Sequence, residues 1–128
     1  MIVVLDAAAA VDVLLDNERG RGARRHLADA QLFSVAHLDA EVFSALARLH
    51  RDEQLTAEAV SVRLGLLADL DVARLPITAP LLSAAWAMRD NIAARDALYV
   101  AAAQSLTGQL LTTDARLSRA AGNIAIKL

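Results

Sequence analysis

The sequence predicts one α/β domain, residues 1–128, in which a five-stranded parallel sheet is flanked by helices. Three observations predict it. Short β-branched and leucine runs alternate with stretches whose apolar residues recur every three or four positions. Strands separated by helices pair in parallel, because a helix supplies the long crossover that parallel pairing needs. The chain has 128 residues, 56% of them apolar and many of them alanine, which suits one well-filled core with helices lying close on a sheet.

The elements follow in order. Ile2 to Leu5 is a β-branched run and the first strand. Ala8 to Leu15 repeats Val11, Leu14 and Leu15 at helical spacing. Asn17 to Gly22 holds two glycines and reads as a turn, and Ala23 to Ala30 as a short second helix. Leu32 to Val35 is the second strand. Leu38 to His50 is a strong helix with Leu38, Val42, Ala45, Leu46 and Leu49 on one face. Thr56 is an N-cap with Glu58 in the first turn of a helix that runs to about Leu70, with Val60, Leu64, Leu67 and Ala68 inward. Val72 to Ile77 is a third strand that Pro76 confines to an edge or an end. Pro80 opens a helix that runs to about Arg89, and Asp90-Asn91 is a turn. Asp96 to Leu106 is a helix with Gly108 as its C-cap. Gln109 to Thr112 is the fourth strand, Asp114 to Ala121 a short helix, and Asn123 to Leu128 the fifth strand.

Composition removes several function classes. There is no cysteine, which excludes disulfides, thiolate metal sites and cysteine nucleophiles. The formal net charge is −2, so any contact with nucleic acid falls to a local patch. Lys127 is the only lysine, and arginine gives planar, bidentate phosphate contacts. The densest basic cluster is Arg19, Arg21, Arg24 and Arg25, which reads as a solvated face or a phosphate-binding surface. The N-terminus lacks a basic region, and Asp6, Asp12 and Asp16 interrupt its apolar stretch, so no signal peptide is expected. No segment is long enough to span a bilayer, and a cytoplasmic protein is the expectation.

Four acids carry the chemistry. Asp6 and Asp114 each follow a strand, and Glu41 and Asp96 sit near the starts of helices. Taken singly, Asp6 and Asp114 are explained as helix caps, and Glu41 and Asp96 as first-turn acids favoured by the helix dipole. Together they can converge beyond the carboxyl ends of the strands, where open α/β sheets build their sites. Two carboxylates about 4 Å apart repel by roughly 4 kcal/mol at a protein-like effective dielectric. A divalent cation relieves that repulsion, and an all-oxygen set suits Mg²⁺ or Mn²⁺ better than zinc. Asp12, Asp16 and Asp39 read as solvated helix acids and Asp90 as a turn residue. His26, His37 and His50 are scattered and read as surface or loop residues. Trp86 and Met88 read as core, with an interface as the weaker alternative. No nucleophile elbow, P-loop or dinucleotide-binding glycine pattern occurs.

At these residues the chain resembles the PIN-domain ribonucleases, and among them the VapC toxins of bacterial toxin–antitoxin pairs. The opening Val3-Val4-Leu5-Asp6-Ala7 is similar to the family's first motif, and Leu38-Asp39-Ala40-Glu41-Val42 to its second. Arg89-Asp90-Asn91 with Asp96-Ala97-Leu98-Tyr99-Val100-Ala101 resembles the third, and Leu111-Thr112-Thr113-Asp114-Ala115-Arg116-Leu117 the fourth. The resemblance covers nearly the whole chain. It implies that Asp6, Glu41, Asp96 and Asp114 are catalytic and hold one or two Mg²⁺ or Mn²⁺ ions. It implies hydrolysis of RNA phosphodiester bonds leaving a 5′-phosphate, a cognate VapB-type antitoxin and a homodimer. Ala8 stands where the family often has serine or threonine, and Arg95 where it commonly has an aromatic or small residue. Thr112, Thr113 and Arg95 are candidates to steady a ligand or contact the substrate.

Two rival readings remain at this point. A PIN-like module of weak catalytic power could use the acidic rim to hold a protein partner, as Ala8 and Arg95 suggest. A phosphoacceptor domain ranks below it, since the third strand ends in Pro76-Ile77 and no lysine lies near the acids.

Overall fold

The computed structural model describes residues 1–128. In chain order the elements are β1 (Ile2–Leu5), α1 (Ala7–Leu15), α2 (Glu18–Arg24), β2 (Gln31–Val35), α3 (Leu38–Arg51) and α4 (Ala57–Asp69). There follow β3 (Ala73–Leu75), α5 (Ala79–Trp86), α6 (Ala94–Ser105), β4 (Gln109–Leu111), α7 (Ala115–Ala121) and a 3₁₀ turn at Gly122–Ile124. The sheet has the order β3-β2-β1-β4 and is parallel throughout. Its carboxyl ends therefore share one edge. The chain builds outward from β1 through β2 to β3 and then returns to place β4 on β1's other side. That reversal makes a switch point between β1 and β4, the crevice that open α/β sheets use for ligands.

The sheet has four strands where five were expected. After α7, Gly122 takes a left-handed φ of 64° and the chain tightens into the 3₁₀ turn. Only Ala125 then bridges in parallel to Leu110, secured by Ile126 N–H donating to the Leu110 carbonyl at 2.9 Å. The apolar pattern of the tail serves burial of Ile126 rather than a ladder.

The glycine pair Gly20 and Gly22, expected in a turn, lies within α2. Asn17 caps α2 by accepting from Gly20 N–H at 2.8 Å, and Glu18 follows at the positive end of the helix. Gly20 is there for contact: a Cβ would lie 1.9 Å from the Asp12 carbonyl oxygen of α1. The expected second helix over Ala23 to Ala30 is instead turn from Arg25 onward. At the end of α6 the left-handed residue is Thr107, with φ 52°, and not Gly108. Gly108 answers a different need, since a Cβ there would meet Ile2 of β1 at 2.8 Å. In α4, Leu67 is buried as expected, whereas Ala68, expected inward, is exposed. β3 is an edge strand, and Pro76 follows it directly.

The core centres on α6. Ala97 through Ala103 are all buried, and the helix packs on β1, β2 and β4. Small alanine side chains let a helix come this close to a sheet without voids. Asp39 is not a free solvated acid. Arg74 of β3 grips it with two bonds, at 3.2 and 2.9 Å, and also donates to carbonyls at the end of α4. Trp86 is not core: it is 67% exposed, with the Arg89 guanidinium 4.8 Å over its ring.

Candidate active site

Strand direction and helix starts bring the four acids to one place. Asp6 leaves β1, and Asp114 leaves β4 after Thr112-Thr113. Glu41 lies in the first turn of α3, which follows β2, and Asp96 in the first turn of α6. All four line one cavity of about 610 Å³, together with Thr113 and the side chains of Arg19, Arg48 and Arg95. Both explanations of Asp6 and Asp114 hold at once. Each caps a helix, and each faces the cavity.

Asp6 is 2% exposed. Its Oδ1 accepts from Ala9 N–H at 2.8 Å, and its own N–H donates to the Leu111 carbonyl at 3.2 Å. Burial pushes its pKa up to about 7, opposed by hydrogen bonds from Thr112 and Ala9 and reinforced by the charges of Asp96 and Asp114. Thr112 is itself buried, and its hydroxyl oxygen accepts from Asp114 N–H at 3.1 Å. Its proton is thus free for Asp6. Asp114 Oδ1 accepts from Arg116 N–H at 2.9 Å and from Leu117 N–H at 3.3 Å. Asp96 is half-buried. Desolvation raises its pKa first, and the neighbouring Glu41 carboxylate raises it further.

Glu41 is the most engaged of the four. Its Oε1 accepts from the Tyr99 hydroxyl at 2.6 Å and has His37 Nε2 at 3.3 Å, while Arg95 stands 3.6 Å from Oε2. Burial pushes the Tyr99 phenol well above its ordinary pKa, and the bond to Glu41 adds to that, so it remains a donor.

As the side chains stand, no three acid or imidazole groups are close enough to share one ion. One oxygen of each of three acids is already engaged: Asp6 and Asp114 each commit one to a cap, and Glu41 commits Oε1 to Tyr99 and His37. The donor chemistry nevertheless fits a hard divalent cation. Every candidate ligand atom is oxygen, and the buried Asp6 carboxyl is costly to ionise without a nearby positive charge.

Sequence reasoning missed His37 and Tyr99. The signal for His37 was its i,i+4 spacing to Glu41, and for Tyr99 its place one turn after Asp96. It also missed Arg48, although Glu41, Ser44, Ala45 and Arg48 follow one helical face into the cavity. Of the basic cluster only Arg19 reaches this wall. Asp12, expected to be solvated, lines the cavity and accepts from Asn17 Nδ2 at 2.8 Å.

The family profile described as the PIN domain matches residues 3–123. Ribonuclease VapC3 of Mycobacterium tuberculosis is 43% identical over 119 residues, 92% of this chain and 86% of the relative. The chain belongs to the VapC family of PIN domains. Among solved structures, this PIN domain is similar to Mycobacterium tuberculosis VapC20, described as a sarcin-ricin loop cleaving toxin. The TM-score is 0.71 at 16% identity, over 98% of this chain and 99% of that one. It is also similar to a chain of VapBC-1 from nontypeable Haemophilus influenzae, with a TM-score of 0.65 at 16% identity over 99% and 97% of the two chains. At such identities the likeness is one of fold.

Proposed function

We propose that this PIN domain is a divalent-metal-dependent endoribonuclease toxin in which Asp6, Glu41, Asp96 and Asp114 hold Mg²⁺ or Mn²⁺. The observation that carries the reading is the meeting of these four carboxylates, from four separate segments, on one cavity at the sheet's switch point. Its relatives' name, ribonuclease, supports RNA as the substrate. When bound, the cation supplies a nucleophilic water and charge for the leaving oxygen. The chain's own residues do the rest. Asp6, steadied by Thr112 and Ala9, and Asp114, steadied by the start of α7, present carboxylate oxygens from fixed backbone positions. Arg19, Arg48 and Arg95 offer guanidinium groups to phosphates on the same wall, and Thr113 a hydroxyl.

We infer from the same kinship a VapB-type antitoxin as partner, a homodimer and a cytoplasmic setting. No helix is long and apolar enough to cross a membrane. Single Asp6→Asn and Asp96→Asn substitutions are expected to lower Mn²⁺-dependent RNA cleavage by at least about 100-fold. Cleavage that survives both changes refutes the mechanism.

A second reading has one observation in its favour. Arg95 stands beside Glu41 and offers the acid a built-in counter-charge. On that reading the acidic wall holds a protein partner and not a metal. Thermal melts decide between them. Mn²⁺ at 100 times its dissociation constant stabilises a metal-binding fold by about 2.7 kcal/mol, whereas the binding module shows no acid-dependent shift.

A further inference from the structure

Glu41 is reached from α6 as well as from its own helix. Tyr99 donates to Oε1 at 2.6 Å, and the His37 ring lies on the phenol with centroids 4.6 Å apart and planes at 27°. His37 Nε2 faces the Arg95 carbonyl oxygen at 3.2 Å and Glu41 Oε1 at 3.3 Å. Both neighbours only accept, so Nε2 carries its hydrogen. Nδ1 is buried with no partner, so nothing pulls the ring away from this arrangement. Oε2 is different. Its charged neighbour is the Arg95 guanidinium, at 3.6 Å too long for a hydrogen bond and on a side chain that is 78% exposed.

We propose that Tyr99, seated by His37, is a positioning residue that pins Oε1 of Glu41 and leaves Oε2 alone free for a divalent cation in the cavity. The inference rests on the metal-dependent reading above. A glutamate side chain turns about three bonds, and fixing one oxygen removes most of that freedom before the cation arrives. Carboxylates that serve as ligands are themselves commonly held by such outer hydrogen bonds, whose loss weakens metal affinity by about 10- to 100-fold. Arg95 is the displaceable group: it neutralises Oε2 from solvent without closing the path to it.

Mn²⁺ titration calorimetry on the wild type, Tyr99→Phe, Glu41→Gln and the double variant tests this, beside melts of each metal-free protein. Phenylalanine keeps the ring under His37 and deletes only the hydroxyl. Tyr99→Phe is expected to weaken Mn²⁺ binding about 10- to 100-fold with nearly unchanged metal-free melting, and to add nothing in the Glu41→Gln background. Affinity within twofold of wild type overturns the proposal, as does an equal loss in the Glu41→Gln background. If Tyr99→Phe does not fold, His37→Phe keeps a stacked ring and removes the Nε2–H. A severalfold loss that requires Glu41 supports the proposal, and wild-type affinity overturns it. Wild-type protein that takes up no Mn²⁺ is a distinct outcome and defeats the metal-dependent reading itself.

Discussion

Asp6 carries two duties on one carboxyl group. Oδ1 caps α1, and the group as a whole faces the cavity from a nearly solvent-free position. Its raised pKa, about 7 against 3.8 for an ordinary aspartate, fixes how stability responds to pH. Between those values the native state keeps a proton that the unfolded chain has released. Stability from this group is complete below about pH 4, falls as pH rises toward 7 and is level above that. The loss across that window is on the order of 4 kcal/mol for the metal-free protein. Urea melts should show the decline in the wild type and a flatter profile in Asp6→Asn, whose amide oxygen can still cap Ala9. Equal slopes would mean the carboxyl is not desolvated as described. The same proton competes with a cation, so cleavage at limiting Mn²⁺ should rise from pH 5.5 to 8.

Helix starts were the most legible elements. Thr56, Asp6 and Asp114, each expected as a cap, accept a backbone N–H in the first turn that follows. A cap needs only one residue type at one position, so a sequence can announce it. Glycines were least legible, because one letter serves opposite purposes. Gly20 and Gly108 allow segments to touch, although Gly20 reads as part of a turn and Gly108 as a helix C-cap. Gly20→Ala should therefore destabilise by about 3 kcal/mol or more, since the backbone of α1 blocks its methyl group. Gly22→Ala, two residues on in the same helix and facing open space, should stabilise by about 0.5–1 kcal/mol. Thermal melts of the pair provide an internal control. The reverse order would show that α1 and α2 do not pack as described.

For the molecule as a whole, strand alternation revealed the parallel sheet and the order of acids revealed the cavity. The partners of Glu41 stayed hidden because they depend on how α6 lies across the sheet, a long-range fact that no local spacing encodes. The split of the basic residues was hidden for the same reason: Arg74 holds Asp39, while Arg19 and Arg48 face the carboxylates. With a net charge of −2, the proposed RNA contact falls to local guanidiniums such as those of Arg19 and Arg48 on the cavity wall. Arg48→Ala should weaken RNA binding by a similar factor for every sequence and lower the salt slope of log K by about 1. Filter-binding at several salt concentrations reads this directly, and an unchanged slope would remove Arg48 from the contact. The margins of the ladder matter beyond one molecule. β3 has three residues and stops at Pro76, and the Ala125 bridge covers part of β4's outer row. Neither margin offers another chain a long unpaired row of amides. Lateral growth into a ribbon through either margin is therefore disfavoured.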